Sequence, residues 1–227
     1  TGTDHRRECG GDFGGVRMDR WRETTLGEVC DQVNGIIQTG PFGSQLHQSD
    51  YSVEGVPVVM PKDIIGGRID SDTVARVSTE HVERLSRHKL SAGDIVYGRR
   101  GDIGRQALIR SEQAGWMCGT GCLRLSLGDK VLDPLFLHYF LRQNEVMSWI
   151  TNQAVGATMP NLNTGILRSV PVRFPPLAIQ RRIAGILSAY DELIENSQRR
   201  IKILEAMARA LYREWFVHFR FPGHESV

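Results

Sequence analysis

The feature that most constrains this chain is a row of apolar or small residues near its C-terminal end, in which steps of four and three residues alternate without a slip. The members of the row are Ile183, Leu187, Tyr190, Ile194, Ser197, Ile201, Leu204, Ala208, Leu211 and Trp215. A mean period of about 3.5 residues is typical of a coiled-coil seam. Pro175–Pro176 precede the row and Pro222–Gly223 follow it. The pattern therefore predicts one unbroken helix over about residues 177–216.

We call residues 175–218 the arm. Its helix would be roughly 60 Å long at about 1.5 Å per residue, and each large seam residue left in water forgoes roughly 1.5–3 kcal/mol of burial. No other stretch of the sequence matches its length and period. We therefore expect the arm to form a coiled coil with a second copy of the chain or with another protein. The alternative is a terminal helix that folds back over its own domain.

In residues 18–174 the apolar runs are short, which predicts one compact α+β domain. We expect this domain to contain a small twisted β-sheet with packed helices. Apolar runs separated by glycine-rich turns predict its strands. These runs are Val56–Met60, Asp94–Tyr97, Gln106–Ile109, Cys122–Leu127 and Val170–Phe174. A short helix is expected over Thr79–Arg87. Asp133 and Pro134 supply the N-cap and first turn of a longer helix that runs to about Asn152.

The two ends of the chain differ from this domain in composition. Residues 1–17 are rich in Gly, Arg and Asp and have no hydrophobic period. We expect them to be a disordered leader, or an appended segment, ahead of a natural start at Met18. Residues 219–227 are expected to form a short tail.

Composition excludes several classes of protein. No apolar run approaches the roughly 20 residues needed to cross a bilayer, and no signal-peptide core opens the chain, so we expect a cytoplasmic protein without a membrane partner. The four cysteines are therefore not expected to form disulfides. Cys118 and Cys122 are separated by three residues but lack a second ligand pair, which favours buried core thiols over a metal site.

The common catalytic motifs are missing from the sequence. No Glu is followed two residues later by Lys, no Gly-Lys pair occurs, and the only Pro-Pro is preceded by Phe174. These absences argue against a common nuclease, a P-loop motor and an amino-methyltransferase. The chain is predicted to be a binding protein without catalysis or cofactor of its own.

A basic cluster between Arg84 and Arg110 is the strongest sign of a nucleic-acid partner. Seven basic side chains stand there against two acidic ones, although the whole chain has a net charge of only +2. We select six of them as candidate DNA contacts: Arg84, Arg87, Lys89, Arg99, Arg100 and Arg105. Glycines flank the last three and allow close approach to phosphates. The alternative is a solvated, charged turn.

Polar residues near other turns add further candidates. Ser44, Gln45 and His47 follow a glycine-rich turn and carry groups suited to base edges, whereas Lys62 is a candidate phosphate contact or a partner of Asp63 in a surface ion pair. Asn161 is a further candidate DNA contact, with a turn residue as the alternative, and Asn163 is interpreted as a helix cap.

Several stretches of the sequence resemble the specificity (S) subunits of type I restriction-modification systems. They lie between residues 21 and 225: Thr25–Val29 after Trp21, Gly40–Leu46, Gly55–Val59, Leu90–Val96, Arg100–Arg105, Val170–Ala184, Leu211–Phe216 and Phe219–Glu225. The most specific is Pro175-Pro176-Leu177-Ala178-Ile179-Gln180, in which Ile179 stands where members of the family usually carry Glu.

The resemblance implies a half-length form with one target-recognition domain and one conserved spacer helix. Typical members carry two such domains, each reading half of a split DNA site, and two antiparallel helices that dock methyltransferase subunits and, through them, the motor-nuclease subunits. Two copies of this chain, paired through their arms, would then read a palindromic bipartite site.

Other interpretations remain open at this point. The chain fits the first half of a longer two-domain subunit, or the recognition part of a fused methyltransferase-nuclease. A coiled-coil adaptor without DNA function is a further alternative.

Overall fold

The structure, a computed structural model, describes residues 21–72, 74–101, 103–153 and 161–226. The strands are β1 (Arg22–Thr25), β2 (Ile36–Thr39), β3 (Tyr51–Ser52), β4 (Val56–Val59), β5 (Ile64–Ile65), β6 (Arg68–Ile69), β7 (Ala75–Val77), β8 (Ile95–Gly98), β9 (Gln106–Leu108), β10 (Met117–Cys118), β11 (Cys122–Ser126) and β12 (Pro171–Phe174). The helices are α1 (Leu26–Val33), α2 (Thr79–Arg84), α3 (Pro134–Leu141), α4 (Asn144–Gln153), α5 (Thr164–Arg168) and α6 (Leu177–Tyr212). The expected leader, residues 1–17, lies outside the described residues.

Two four-stranded sheets form the centre of the domain, and the α+β fold class is confirmed. One has the order β2-β11-β8-β9 with antiparallel neighbours, and the other has the order β10-β4-β7-β3, in which β10 and β4 run parallel. Val59 of the second sheet and Val96 of the first belong to one buried cluster, together with Cys118 and Cys122. The core therefore lies where the two sheets meet.

Each strand predicted from the sequence is present with its ends within one residue of the prediction. The strands that the sequence analysis missed include β3, β5, β6 and β10, each of which is two residues long. So short a segment shows no alternation of apolar and polar residues, and its conformation depends on its pairing partner.

The helix expected from Asp133 to about Asn152 is wrong as one continuous element. Asp133 caps α3 as predicted, because its side chain accepts from the Phe136 N–H, but the chain turns between α3 and α4. A continuous helix that buried Leu141 would next bury positions 144, 145 and 148, all of which are exposed. The break shifts the helical phase so that Val146 and Ile150 are buried instead.

An ion pair lies inside the first sheet. The Arg124 Nε of β11 is 2.7 Å from the Asp94 Oδ2, and both side chains are buried. Asp94 Oδ2 also accepts from the Ser91 N–H at 2.7 Å, and Arg124 Nη1 donates to the Arg87 carbonyl at 3.4 Å. The ion pair and these two hydrogen bonds thus connect β11 to the Arg87 backbone and to the segment from Ser91 to Asp94.

The first turn of α6 is held by one buried side chain. Gln180 Oε1 accepts from the Asp133 N–H at 2.8 Å, while its Nε2 donates to the carbonyls of Pro175 and Val131 at 2.8 and 3.0 Å. Gln180 belongs to the sequence stretch most specific to the resemblance. Both the oxygen and the nitrogen of its side-chain amide are hydrogen-bonded within the domain, so this glutamine has a structural role.

The long C-terminal helix is confirmed. The α-helix ends at Tyr212 and a π-helical turn continues over Arg213–Val217. The chain divides into two compact units between Arg181 and Arg182. In the second unit the large aliphatic and tyrosine residues of the seam from Leu187 to Leu211 are between 39% and 63% exposed. None of the helices in the described ranges has the length and apolar character needed to cross a membrane.

The buried ion pair generates a test of stability. Replacing Arg124→Met keeps an apolar stem but leaves the Asp94 carboxylate buried without its partner, so the free energy of unfolding should fall by about 3–5 kcal/mol. Arg110→Met is the control, because Arg110 forms an exposed 4.0 Å pair with Glu112 that contributes about 0–1 kcal/mol. Urea denaturation measures both variants. Small, equal losses would contradict a structural role for the Asp94–Arg124 pair.

Candidate nucleic-acid interface

Four loops meet at one end of the two sheets, and together we call them the loop edge: residues 40–47, 60–63, 99–101 with 103–105, and 119–121. Strand β11 begins at this end, where Leu123 pairs with Thr39, the last residue of β2, and Cys122 pairs with Gly98, the last residue of β8. In the other sheet β4 and β10 run parallel and end at the same side. The hydrogen-bond register therefore collects loops that are far apart in the sequence.

Close backbone packing holds the loop edge together. A Cβ atom on Gly40 would lie 2.1 Å from the Gly119 carbonyl oxygen, so no side chain fits there. The Gly40 N–H donates to the Cys122 carbonyl at 2.9 Å. On the other side, a Cβ on Gly98 or Gly121 would be within 3.5 Å of the Pro61 ring. The 119–121 segment thus lies between the loops that carry the candidate residues.

The β8–β9 loop carries three of the predicted DNA contacts. Arg99 is half-buried and its Nε donates to Asn161 Oδ1 at 3.1 Å, while Arg100 forms a backbone bridge with Asn161. Arg100 and Arg105 are exposed. Lys62, also exposed, follows the Pro61 that contacts Gly98. Arg99, Arg100, Arg105, Lys62 and Asn161 are therefore brought together.

The loop after β2 forms a second group. Ser44 and His47 are exposed, and Gln45 is half-buried. Arg84 Nη2 donates to the Gln45 carbonyl at 3.1 Å, which joins the end of α2 to this loop. The Gln45 side chain accepts from the Phe42 N–H at 3.2 Å, so part of its hydrogen-bonding capacity serves the loop itself.

Arg87 and Lys89 lie beside the first sheet rather than on the loop edge. Both side chains are exposed. The Arg87 carbonyl accepts from Gln38 Nε2 at 2.6 Å as well as from Arg124. Gln38 is next to the last residue of β2, so this segment is close to the loop edge. Lys89 forms a backbone bridge with Met117.

His88 lies between these two residues and is buried. Arg87 Nε is 3.0 Å from its Nε2. Burial, and then the neighbouring charge of Arg87, lowers the pKa of His88 from its ordinary value. His88 therefore stays neutral near pH 7 and accepts the hydrogen bond from Arg87 through its Nε2.

The structure also decides between paired interpretations made from the sequence. Asn163 is a helix cap as predicted, since its Oδ1 accepts from the Ile166 N–H at 2.9 Å. Asp63 is buried and its Oδ2 accepts from the Met60 N–H at 2.9 Å, so it belongs to the interior. Cys118 and Cys122 are core thiols, and burial raises the pKa of Cys118 to about 12. Among the described residues, no group of His, Cys, Asp and Glu is arranged to hold a metal.

Sequence reasoning missed two residues that support this surface, Gln38 and Arg124. The only signal was a charged residue inside an apolar strand, Cys122-Leu123-Arg124-Leu125, which calls for a buried partner.

Taken together, the exposed cationic groups suit phosphate oxygens and the nearby amides suit base edges. Asp50 lies at the other end of the second sheet, next to the Tyr51–Val77 pair, and is 3.5 Å from His81.

Comparison with known proteins identifies relatives of one kind. Residues 18–206 match the family of the type I restriction modification DNA specificity domain. The type I restriction enzyme MjaIX specificity subunit of Methanocaldococcus jannaschii is 26% identical over 181 residues, which are 78% of this chain and 41% of the relative. The EcoBI specificity subunit of Escherichia coli is 25% identical over 220 residues, covering 91% of this chain and 44% of the relative.

Solved structures give the same result for the fold. The S subunit of a type I system from M. genitalium has a TM-score of 0.60 at 20% identity and covers 89% of this chain and 47% of its own. The HsdS subunit from Thermoanaerobacter tengcongensis has a TM-score of 0.56 at 21% identity, and the match covers 84% of this chain and 47% of that subunit. This chain spans about half the length of the relatives that it matches. By the match over residues 18–206, it belongs to the family of type I restriction-modification DNA specificity domains.

Proposed function

We propose that this chain reads one half of a split DNA site for a type I restriction-modification system, with the loop edge as its DNA-binding surface. The observation that carries the proposal is that exposed basic and amide side chains from separate loops gather at one end of two sheets. Such a function places the chain with the chromosome in the cytoplasm.

We assign two kinds of contact to this surface, contacts with phosphates and contacts with base edges. Arg100, Arg105 and Lys62 are exposed and are assigned to phosphates, which position the domain without reading sequence. Ser44, Gln45 and His47 are assigned to base edges in the groove. Arg84 and Arg99 hold their loops through the Gln45 carbonyl and Asn161 and keep further N–H groups for DNA.

The arm pairs with the arm of another copy, and this brings in a second recognition domain that reads the other half of the DNA site. An antiparallel pair with complete overlap places Ile183 against Trp215, Tyr190 against Ala208 and Ser197 against Ile201. A large residue then meets a small one in the Tyr190 layer, whereas a parallel pair would stack Tyr190 on Tyr190 and Ala208 on Ala208. Complementary volumes fill a seam better than matched ones, which supports the antiparallel arrangement.

A second apolar row on the arm supports docking of a further protein. Ile186, Leu193 and Met207 each precede a seam residue by one position and are 53%, 61% and 62% exposed. A two-helix seam leaves this row at its margin. We assign it to the methyltransferase subunits, which would carry out methyl transfer, and the motor-nuclease subunits would join through them. This chain would contribute recognition and no catalysis.

The alternative of a longer subunit draws support from one observation. The relatives are about twice as long as this chain, so the second recognition domain and second helix would come from the same polypeptide. The arm would then pair with that second helix rather than with its own copy.

The basic loop generates the first test of this proposal. Arg100→Met should weaken binding of the assembled complex to all duplexes by a similar factor and reduce the slope of log K against log salt by about one, because one phosphate contact is lost. Arg110→Met is the matched control, since Arg110 follows β9 at the opposite end of the sheet. A salt slope that stays unchanged for Arg100→Met would assign no phosphate to this residue.

The arm generates the second test. A chain with Ser197→Cys, mixed with a differently tagged chain with Ile201→Cys, should form a disulfide-linked dimer under mild oxidation, since the two positions share a layer in the antiparallel pair. A Cys9→Ser background removes a competing thiol, and Cys30, Cys118 and Cys122 are buried. Rapid cross-linking of the Ser197→Cys chain with itself would show that the arms are parallel.

The third test addresses the function as a whole. The chain is co-expressed with the methyltransferase subunit of its own system, and methylated adenines are mapped across the host genome. We expect a new motif made of two identical inverted half-sites at a fixed spacing. An asymmetric motif would support the longer subunit, and active methyltransferase without any new motif would contradict the proposal.

A further inference from the structure

An exposed aromatic side chain stands near the start of the loop after β2. Phe42 is 57% exposed, although Pro41 before it and Leu46 after it are buried. It lies on the loop edge, next to Ser44 and Gln45. None of the DNA contacts proposed above includes it.

The backbone of Phe42 is held from both sides. Its N–H donates to Gln45 Oε1 at 3.2 Å, and its carbonyl accepts from the Gln45 and Leu46 N–H groups at 2.8 and 3.3 Å. Leu46 packs in a core cluster with Val58 and Met117. The backbone position from which the ring leaves the loop is therefore set before any partner binds, which lowers the entropy cost of using it in a contact.

The base of the loop is fixed as well. Gly40 packs against the Gly119 carbonyl and donates to Cys122, and Arg84 donates to the Gln45 carbonyl at 3.1 Å. These bonds involve backbone atoms of the loop rather than the Phe42 ring. Removing the ring should leave the loop in place.

The loop that carries the ring indicates what covers it. Ser44 and Gln45 follow Phe42 in the same loop, and Arg84 donates to the Gln45 carbonyl, so charged and hydrogen-bonding groups share this loop with the exposed ring. Such a mixture suits a duplex better than an apolar protein partner. In DNA the phosphates and base edges satisfy polar groups, while thymine methyl groups and the faces of partly unstacked base pairs accept apolar side chains.

We propose that Phe42 is a specificity-determining residue that contacts bases directly, as the apolar member of the DNA-reading surface. This inference rests on the proposed function, since it needs the loop edge to face DNA. It adds a contact that reads bases through their apolar surface rather than through hydrogen bonds.

The test compares Phe42→Ala, Phe42→Leu and wild type, each assembled with the methyltransferase subunit. Binding is measured to a duplex that carries the mapped methylation motif and to one with that motif scrambled. Phe42→Ala should bind the motif duplex about tenfold more weakly, bind the scrambled duplex as wild type does, and keep the wild-type salt slope, because no phosphate contact is lost. Phe42→Leu should recover part of the affinity.

Ile36→Ala is the matched control. Ile36 is 42% exposed and lies at the opposite end of β2 from the loop edge, so its loss should leave both affinities unchanged. Thermal unfolding checks that all variants are folded. Equal weakening on both duplexes, or a changed salt slope, would show that Phe42 supports the basic groups instead and would overturn the inference.

Two duplex modifications separate the two apolar targets. Deoxyuridine in place of thymidine should weaken wild type but not Phe42→Ala if the ring contacts a thymine methyl group. Increased fluorescence of 2-aminopurine with wild type alone would indicate insertion at a base step. If neither modification responds although Phe42→Ala loses affinity, the ring acts within the protein and the inference is wrong.

The outcomes for wild type keep this inference distinct from the proposed function. If the wild-type complex does not distinguish the motif from the scrambled duplex, the proposed function fails and the role of Phe42 fails with it. If wild type distinguishes them and Phe42→Ala does so equally well, the role of Phe42 alone is overturned.

Discussion

The recognition domain depends on the pairing of strand β11 with β2 on one side and β8 on the other. The pairing with β2 joins segments that are more than eighty residues apart in the sequence, and the two pairings together bring the ends of three strands to one place. Inside β11 the buried Arg124–Asp94 pair at 2.7 Å restricts the register further, because a slip of one residue would move the guanidinium away from its carboxylate. The positions of the loops after β2 and β8 follow from this pairing, while the parallel pairing of β4 with β10 brings residues 60–63 to the same place.

The arm has the opposite character, since it contains more apolar surface than it can bury by itself. From Leu187 to Leu211 its large seam residues remain substantially exposed, and burying them requires a partner helix. The domain thus has its own core and the arm has none, and the proposed pairing of the arm would bury these side chains.

Family membership and the structure support the proposed function in different ways. The match over residues 18–206 shows what kind of domain this is, but it does not indicate which side chains face DNA. The structure supplies a surface on which Lys62, Arg99, Arg100 and Arg105 are neighbours, and it separates groups that hold loops from groups that point outward. Gln180 illustrates the distinction, because a residue of the most characteristic sequence stretch serves the interior of the domain.

The sequence by itself determined the elements whose signals are local. The period of the arm, the caps at Asp133 and Asn163, and the longer apolar strands depend on residues close to one another along the chain, and each is present in the structure. Only the tertiary structure decided that α3 and α4 are separate, that Arg124 is buried against Asp94, and that the loops of β2, β4 and β8 share one edge. These features depend on hydrogen bonds and contacts between distant segments. Such contacts produce no periodic pattern of residues along the sequence, so they cannot be predicted from local signals.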